Sequence, residues 1–325
     1  MPGFTTHYIF GMKAYNDMPF TPLKHTIAKY RWLYQLGLQG PDMFFYNIPI
    51  LRHRDYRNVG SYMHEHKVNA FFECCLRRIG TIRSRQQQEE AISYLAGFMN
   101  HYIADSICHP YVYGRIGYPV DAPTSMHHGM HAHLENELDA ILLWKYKKKK
   151  PSEFNQTATI CLNGQEIQFI SHFLASCINE TYYPITYRNN FQVTPAMVHR
   201  SIWALRFGCR TLSDKNGKKK FGIAQVESIF VNHPVASAKM VTDSVTDYRS
   251  SCNLNHEAWG NPWDPTRVST ASFVDLFHET LDKCSRVYAL LNSAVTDNVP
   301  FDKQDLSPLL TELGNESYHS GLPVD

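Results

Sequence analysis

The chain has 325 residues, 43% hydrophobic and 19% charged, enough for a large buried core and too apolar for a disordered polypeptide. A formal net charge of +2 gives no overall drive toward nucleic acid. Eight cysteines, none in a CxxC pair, exclude a small disulfide-stapled fold and read as mostly reduced core thiols.

The opening Met1-Pro-Gly-Phe-Thr-Thr-His shows no basic start followed by an apolar run, and no window approaches 18 uninterrupted apolar residues. Neither a signal peptide nor a transmembrane helix is therefore expected, and a cytoplasmic location follows. The spacing predicts a helix over 22–37, ending before Gly40-Pro41. A second covers 62–79, with Val68, Phe71, Phe72, Cys75 and Ile79 at helical intervals and His64 on the same stripe. A third covers 87–108 through Ala91, Tyr94, Leu95, Phe98 and Tyr102, with Pro110 as its stop. A fourth covers 130–146, carrying Leu134, Leu138, Ile141 and Leu142. Thr159–Ile167 around Asn163-Gly164 reads as a small hairpin. Further helices are expected at 167–180, 194–212 and 268–292, with a Pro-, Asn- and Trp-rich loop at 251–267 and a polar, loosely ordered tail from about 297. The whole reads as an all-α, compact multi-helix protein: a first unit over 1–213 and a helical extension over 214–325 packed on it. The basic runs Lys147–Lys150 and Lys215–Lys220 read as solvated ends and loops, or as attraction to an anionic membrane surface.

Chemistry concentrates in Asn100–Pro110, which places His101, Asp105 and His109 four residues apart. Four residues is about one helical turn, so the three side chains can share a face. Chance alone gives ~1.6 His-x3-acid pairs at this composition; four occur, at His101/Asp105, His131/Glu135, His133/Glu137 and His278/Asp282. Position therefore decides more than count. Stepping about 100° per residue from Phe98 puts Asp105 about 20° and His101 about 60° from it, inside or beside an apolar stripe that reaches about 40° to either side. A carboxylate turned inward must be paired or bound to a metal. His131 and Glu135 lie in the arc of Leu134, Leu138 and Leu142, whereas His133 and Glu137 fall beyond its edge. Separate helices thus each turn a ligand-type group inward, which together favours a metal cluster. His278/Asp282 has no such partner set.

These residues resemble a known ligand order. His7, Asp42, His64, His101-x3-Asp105, His109 and His131-x3-Glu135 are similar to the set of the zinc-dependent phospholipase C family. That family includes bacterial phosphatidylcholine-hydrolysing enzymes and the catalytic domain of clostridial alpha-toxin, and it shares a helical three-zinc fold with fungal single-strand nucleases. The resemblance lies within residues 1–139. It implies that Asp42, His64, His101 and Asp105 hold one zinc, and that His109, His131 and Glu135 hold a second. Asp105 would bridge to a third, completed by His7 and, after removal of Met1, by the amine of Pro2; two to three Zn2+ ions follow. The Asp105–His109 spacing is shorter than in the secreted phospholipases, and the choline cradle has no match near Met43 and Ser61.

The implied reaction is hydrolysis of a glycerophospholipid to diacylglycerol and a phosphorylated headgroup, with Asp42 orienting or deprotonating the attacking water. Asp42 could equally be a turn residue in Gly40-Pro41-Asp42. Tyr46, Tyr62 and Tyr102 could support ligands or simply pack the core. Asn253–His256 and Trp259–Trp263 could rim the site, contact lipid or form a plain packed loop. A single-strand nuclease or nucleotidase is the alternative enzyme, and a zinc-binding scaffold without turnover the non-enzymatic one. A His-Glu-x-x-His zinc site is missing, and a helical di-iron site, built from a Glu-x-x-His on each of two helices, is disfavoured. The partners implied are phospholipid and a transient membrane surface; no protein partner is predicted, and nucleic acid is disfavoured.

Overall fold

The structure is a computed structural model and describes residues 3–47, 59–183, 192–230, 237–245 and 247–325. It is all-α, with one two-stranded antiparallel sheet among the described residues. The first helices are α1 (Phe4–Asp17), α2 (Pro22–Lys29) and α3 (Arg31–Gly37), followed by a 3-10 segment, Gly40–Tyr46. Next come α4 (Val59–Glu65), α5 (Val68–Thr81), α6 (Arg85–Arg115) and α7 (Ser125–Lys147). The remaining larger helices are α8 (Gly164–Tyr182), α9 (Pro195–Leu212), α10 (Lys218–Phe230), the short α11 (Tyr248–Ser251), α12 (Phe273–Thr296) and α13 (Ser307–Leu313). Strands β1 (Trp259–Asn261) and β2 (Asp264–Ser269) precede α12.

Helix α6 is the axis of the molecule. From Glu90 to Val112 nearly every side chain is buried, as expected of a helix apolar around its whole circumference. It can be enclosed so closely because α3 crosses it at Gly37 and Gly97. A Cβ on Gly97 would stand 2.1 Å from the Tyr34 carbonyl, and one on Gly37 2.1 Å from that of Tyr94. Helix α12 seals another side, where the Tyr288 hydroxyl donates to the Ala96 carbonyl.

Several boundaries differ from the sequence reading. The span 22–37 divides at Tyr30, and 62–79 divides at Lys67, whose φ of +49° ends one helix and starts another. His64 therefore sits on α4, separate from the Val68–Cys75 stripe on α5. Pro110 does not stop α6, which runs on to Arg115. A proline removes one helical hydrogen bond, to the carbonyl four residues back, and here that carbonyl, Ser106, packs against Gly321 of the C-terminal tail. The hairpin expected at Asn163-Gly164 is instead the start of α8. Asn163 Oδ1 accepts from Glu166 N (2.9 Å), and Glu166 Oε2 from Asn163 N (2.8 Å). This reciprocal cap overrides the turn preference of Asn-Gly. The last long helix starts at Phe273, capped by Ser272 with Asp275, because Val268 and Ser269 are taken up in β2. All eight cysteines are free, and six are buried.

The tail departs most from expectation. Polar composition suggested a loose end beyond 297, yet Phe301, Leu306, Leu309, Leu313 and Tyr318 are buried in the main core. Its last turn is stitched to the body: Asn315 Oδ1 accepts from Asn69 N (3.0 Å), and the Asp325 carbonyl from Lys67 N (3.0 Å). Five buried apolar side chains within a polar stretch supply the anchoring that composition alone conceals.

Candidate metal centre

Five elements converge on one buried spot. Helix α1 carries His7, the 3-10 segment Asp42, α4 His64, α6 His101, Asp105 and His109, and α7 His131 and Glu135. The four histidines His7, His64, His101 and His109 and the carboxylate of Asp105 have no exposed surface, and Asp42 is 3% exposed. Pro2 lies outside the described residues.

Two donor sets form. Asp42, His64, His101 and Asp105 bring one ligand atom each within 4.8 Å of one another, as do His109, His131 and Glu135. In the first set, His64 Nε2 is 3.3 Å from Asp42 Oδ1 and 3.7 Å from Asp105 Oδ2, and His101 Nε2 is 3.0 Å from Asp105 Oδ2. In the second, Glu135 Oε1 is 2.6 Å from His131 Nε2 and 3.7 Å from His109 Nε2. Zinc bonds of about 2.1 Å give a tetrahedron with edges of roughly 3.4 Å. The observed separations bracket that edge. Asp105 joins the sets: Oδ2 faces His64 and His101, while Oδ1 stands 3.1 Å from His7 Nε2 and 3.8 Å from the His109 ring.

Hydrogen bonding aims these groups. His64 Nδ1 donates to the Gly60 carbonyl (2.6 Å), His101 Nδ1 to that of Leu38 (3.1 Å) and His109 Nδ1 to that of Tyr318 (2.6 Å). A carbonyl can only accept, so each ring carries its proton on Nδ1 and, when neutral, turns an Nε2 lone pair inward. Those Nε2 atoms, with Asp42 Oδ1 and both Asp105 oxygens, have no hydrogen-bond partner among the described residues. Buried acceptors facing one another without donors fit a cation between them. Gly40 permits this arrangement: its φ is +46°, and a Cβ there would fall 2.2 Å from the His101 ring.

The electrostatics agree. Burial holds His7 down to about 4, and it holds His109 and His131 well below the ordinary histidine range. Neutral imidazoles are the form that binds metal. Burial opposes charge on His64 too, but the carboxylates of Asp105 and Asp42 override it and hold the ring cationic up to about 9. A proton there stands where the pocket calls for positive charge.

Three features escaped the sequence reading. Asp139, one turn beyond Glu135, accepts from Thr5 N (3.1 Å) and Thr6 N (2.7 Å), so it fixes the start of α1 and thereby His7. The His131, Glu135, Asp139 spacing would have flagged it. Tyr318 supplies the carbonyl for His109, and its own N–H donates to the His64 carbonyl (2.9 Å). His319 stacks on His64 with ring centres 5.0 Å apart and lies 5.6 Å from His109, between the two donor sets. Its Nδ1 is 3.1 Å from the Tyr113 hydroxyl. It belongs to Glu316-Ser-Tyr-His319, a Glu-x-x-His that sequence reading should have noted.

The other candidates divide. Tyr102 donates to Glu316 in the tail (2.5 Å), the Tyr46 ring packs on Gly208, and the Tyr62 ring lies tilted against His66 with ring centres 4.4 Å apart. Trp263 reaches the rim through Tyr113, whose ring lies 4.6 Å from His131. Asn261 Nδ2 donates to the Ser320 carbonyl (2.8 Å), so the 251–267 region holds the tail in place. His133 and Glu137 stay outside the cluster, and His278 is exposed.

Compared with known proteins, the chain matches the model of one family, described as zinc dependent phospholipase C, over residues 6–186, more than half its length. No curated protein and no solved structure matches it.

Proposed function

The chain belongs to the zinc-dependent phospholipase C family, and on that premise we propose that it hydrolyses phosphodiesters, with glycerophospholipids as substrates and diacylglycerol as a product. The observation that carries this reading is Asp105, a fully buried carboxylate with one oxygen toward each side of a seven-residue donor cluster.

Asp42, His64, His101 and Asp105 would hold one zinc and His109, His131 and Glu135 another, with His7 beside the free face of Asp105. Zinc so held supplies Lewis-acid charge for a phosphate and makes water a stronger acid. The protein's own groups do the rest. The Gly60, Leu38 and Tyr318 carbonyls keep three imidazoles in one tautomer and one orientation, a support that typically affects metal affinity and activity by 10–100-fold. Asp42, held on a short 3-10 segment, orients the attacking water and accepts its proton. Enclosure by α6, α4 and the tail keeps bulk water out and strengthens each electrostatic contact. The eight free cysteines suit a reducing, cytoplasmic compartment; no helix among the described residues is long and apolar enough to cross a membrane.

The test is to purify the protein without chelator, count zinc, and assay choline, ethanolamine and inositol phospholipids beside single-stranded DNA. About two to three ions per chain and release of diacylglycerol are expected. Fewer than two ions would sink the cluster. Cleavage of DNA alone would make the chain a nuclease, and zinc without turnover would make it a scaffold.

A further inference from the structure

Helix α9 presents two unlike faces. Inward it buries Val198, Ser201, Ile202, Leu205 and Cys209. This side also grips the segment bearing Asp42: Asn47 Nδ2 donates to the Met197 carbonyl (3.2 Å) and Ser201 Oγ (3.0 Å), and Gly208 receives the Tyr46 ring. The outer face of a helix is normally polar and of mixed charge. Here it exposes Trp203 (63%) and Phe207 (54%), one turn apart, their rings stacked at 5.3 Å and 8°. The helix holds Arg200, Arg206 and Arg210 and no carboxylate. Beyond it follow Lys215 and Lys218–Lys220, then Phe221 at the start of α10, 67% exposed.

Residues 195–220 thus hold seven cations and a single acid in a chain whose net charge is only +2. That acid, Asp214, is buried and accepts from Lys220 N (2.7 Å), so it does not offset the surface charge. Large aromatics exposed among cations oppose solubility in plain water and suit the boundary between lipid headgroups and acyl chains, where an indole or phenyl ring enters and cations meet phosphates.

We propose that the outer face of α9, with the basic turn leading into α10, docks the protein on an anionic lipid surface. A second copy is a poorer occupant, because the same seven cations would face one another. The proposal deepens the phospholipase reading by saying where the lipid surface is met; it rests on that reading for its purpose and not for the binding itself.

The test is co-sedimentation of the zinc-loaded full chain with phosphatidylcholine vesicles, with and without phosphatidylglycerol. Binding is expected only with the anionic lipid and is expected to weaken as salt rises. Trp203→Ser combined with Phe207→Ser is expected to weaken it at least tenfold, and Arg206→Ser or Arg210→Ser by about fivefold each. Circular dichroism of each variant must match the parent. No sedimentation with anionic vesicles, or equal sedimentation of parent and aromatic variant, overturns the proposal. So does finding that these substitutions abolish self-association or retention of single-stranded DNA instead. Hydrolysis of a soluble, monomeric phosphodiester, measured in parallel, keeps the two ideas apart. Vesicle binding without that turnover supports the surface and defeats the phospholipase reading, and turnover without vesicle binding does the reverse.

Discussion

Helix α6 and the segment 315–322 meet at the same centre and serve it by different means. Helix α6 offers side chains: His101, Asp105 and His109 at one-turn intervals, all fully buried. The tail works largely through its backbone, with the Tyr318 carbonyl on His109 and the Tyr318 N–H on the His64 carbonyl. Every residue owns a carbonyl, so support of this second kind leaves no mark in residue type or spacing. Donors can thus be read along one helix, while the carbonyl that aims His109 sits 209 residues away.

Three experiments press on that contrast. The largest effect is expected for Asp105→Ala. It removes the carboxylate that belongs to the first donor set and faces the second through His109, and leaves His7, His64 and His101 buried around a void. Zinc content should fall below that of the parent by at least one ion, turnover should drop at least ~1000-fold, and breaking a buried charged cluster should cost about 3–5 kcal/mol in unfolding. Retained zinc would show that Asp105 does not bridge. A smaller effect is expected from the tail. A chain ending at Gly314 loses the acceptor for His109, so zinc affinity should fall about 10–100-fold. His319→Ala keeps the Tyr318 carbonyl and should keep its zinc while losing turnover, by about tenfold. If both tail variants match the parent in zinc and rate, the tail merely covers the site.

The sequence made the all-helical class and the inward-facing ligands legible because both depend on periodicity. His101 and Asp105 lie on or beside a 3.6-residue apolar stripe, and α6 is enclosed on every side at that level, so both are buried. The break at Lys67 and the run of α6 through Pro110 were illegible, since each turns on a tertiary contact. Lys67 answers to the carbonyl of Asp325, and Ser106 to Gly321. Capping residues were half legible: Asn163 and Glu166 stand in capping-box order, but the Asn-Gly pair also spells a turn. His319 left only the Glu316-x-x-His319 spacing as a sign, with no apolar periodicity around it to say that it turns inward.

The smallest effect separates side-chain from backbone support in another place. Asp139 lies on the same α7 stripe as His131 and Glu135 but acts on backbone, accepting the N–H groups of Thr5 and Thr6. Burial raises its carboxyl from 3.8 to about 6, although the Thr6 and Thr5 donors pull it down. A folded-state value above the unfolded one means that the folded chain binds the extra proton between those limits. The native contribution of Asp139 is therefore greatest below about pH 4 and declines as pH rises toward 6. Two pKa units correspond to about 3 kcal/mol at most. Asp139→Asn has no proton to lose, and its single carbonyl oxygen can replace only part of the carboxylate's hydrogen bonding. Measured by denaturant unfolding, its stability relative to the parent should improve steadily from pH 4 to 6 and then level off. A flat difference across that window would mean that Asp139 is ionised throughout, held in that form by the N–H groups at the start of α1.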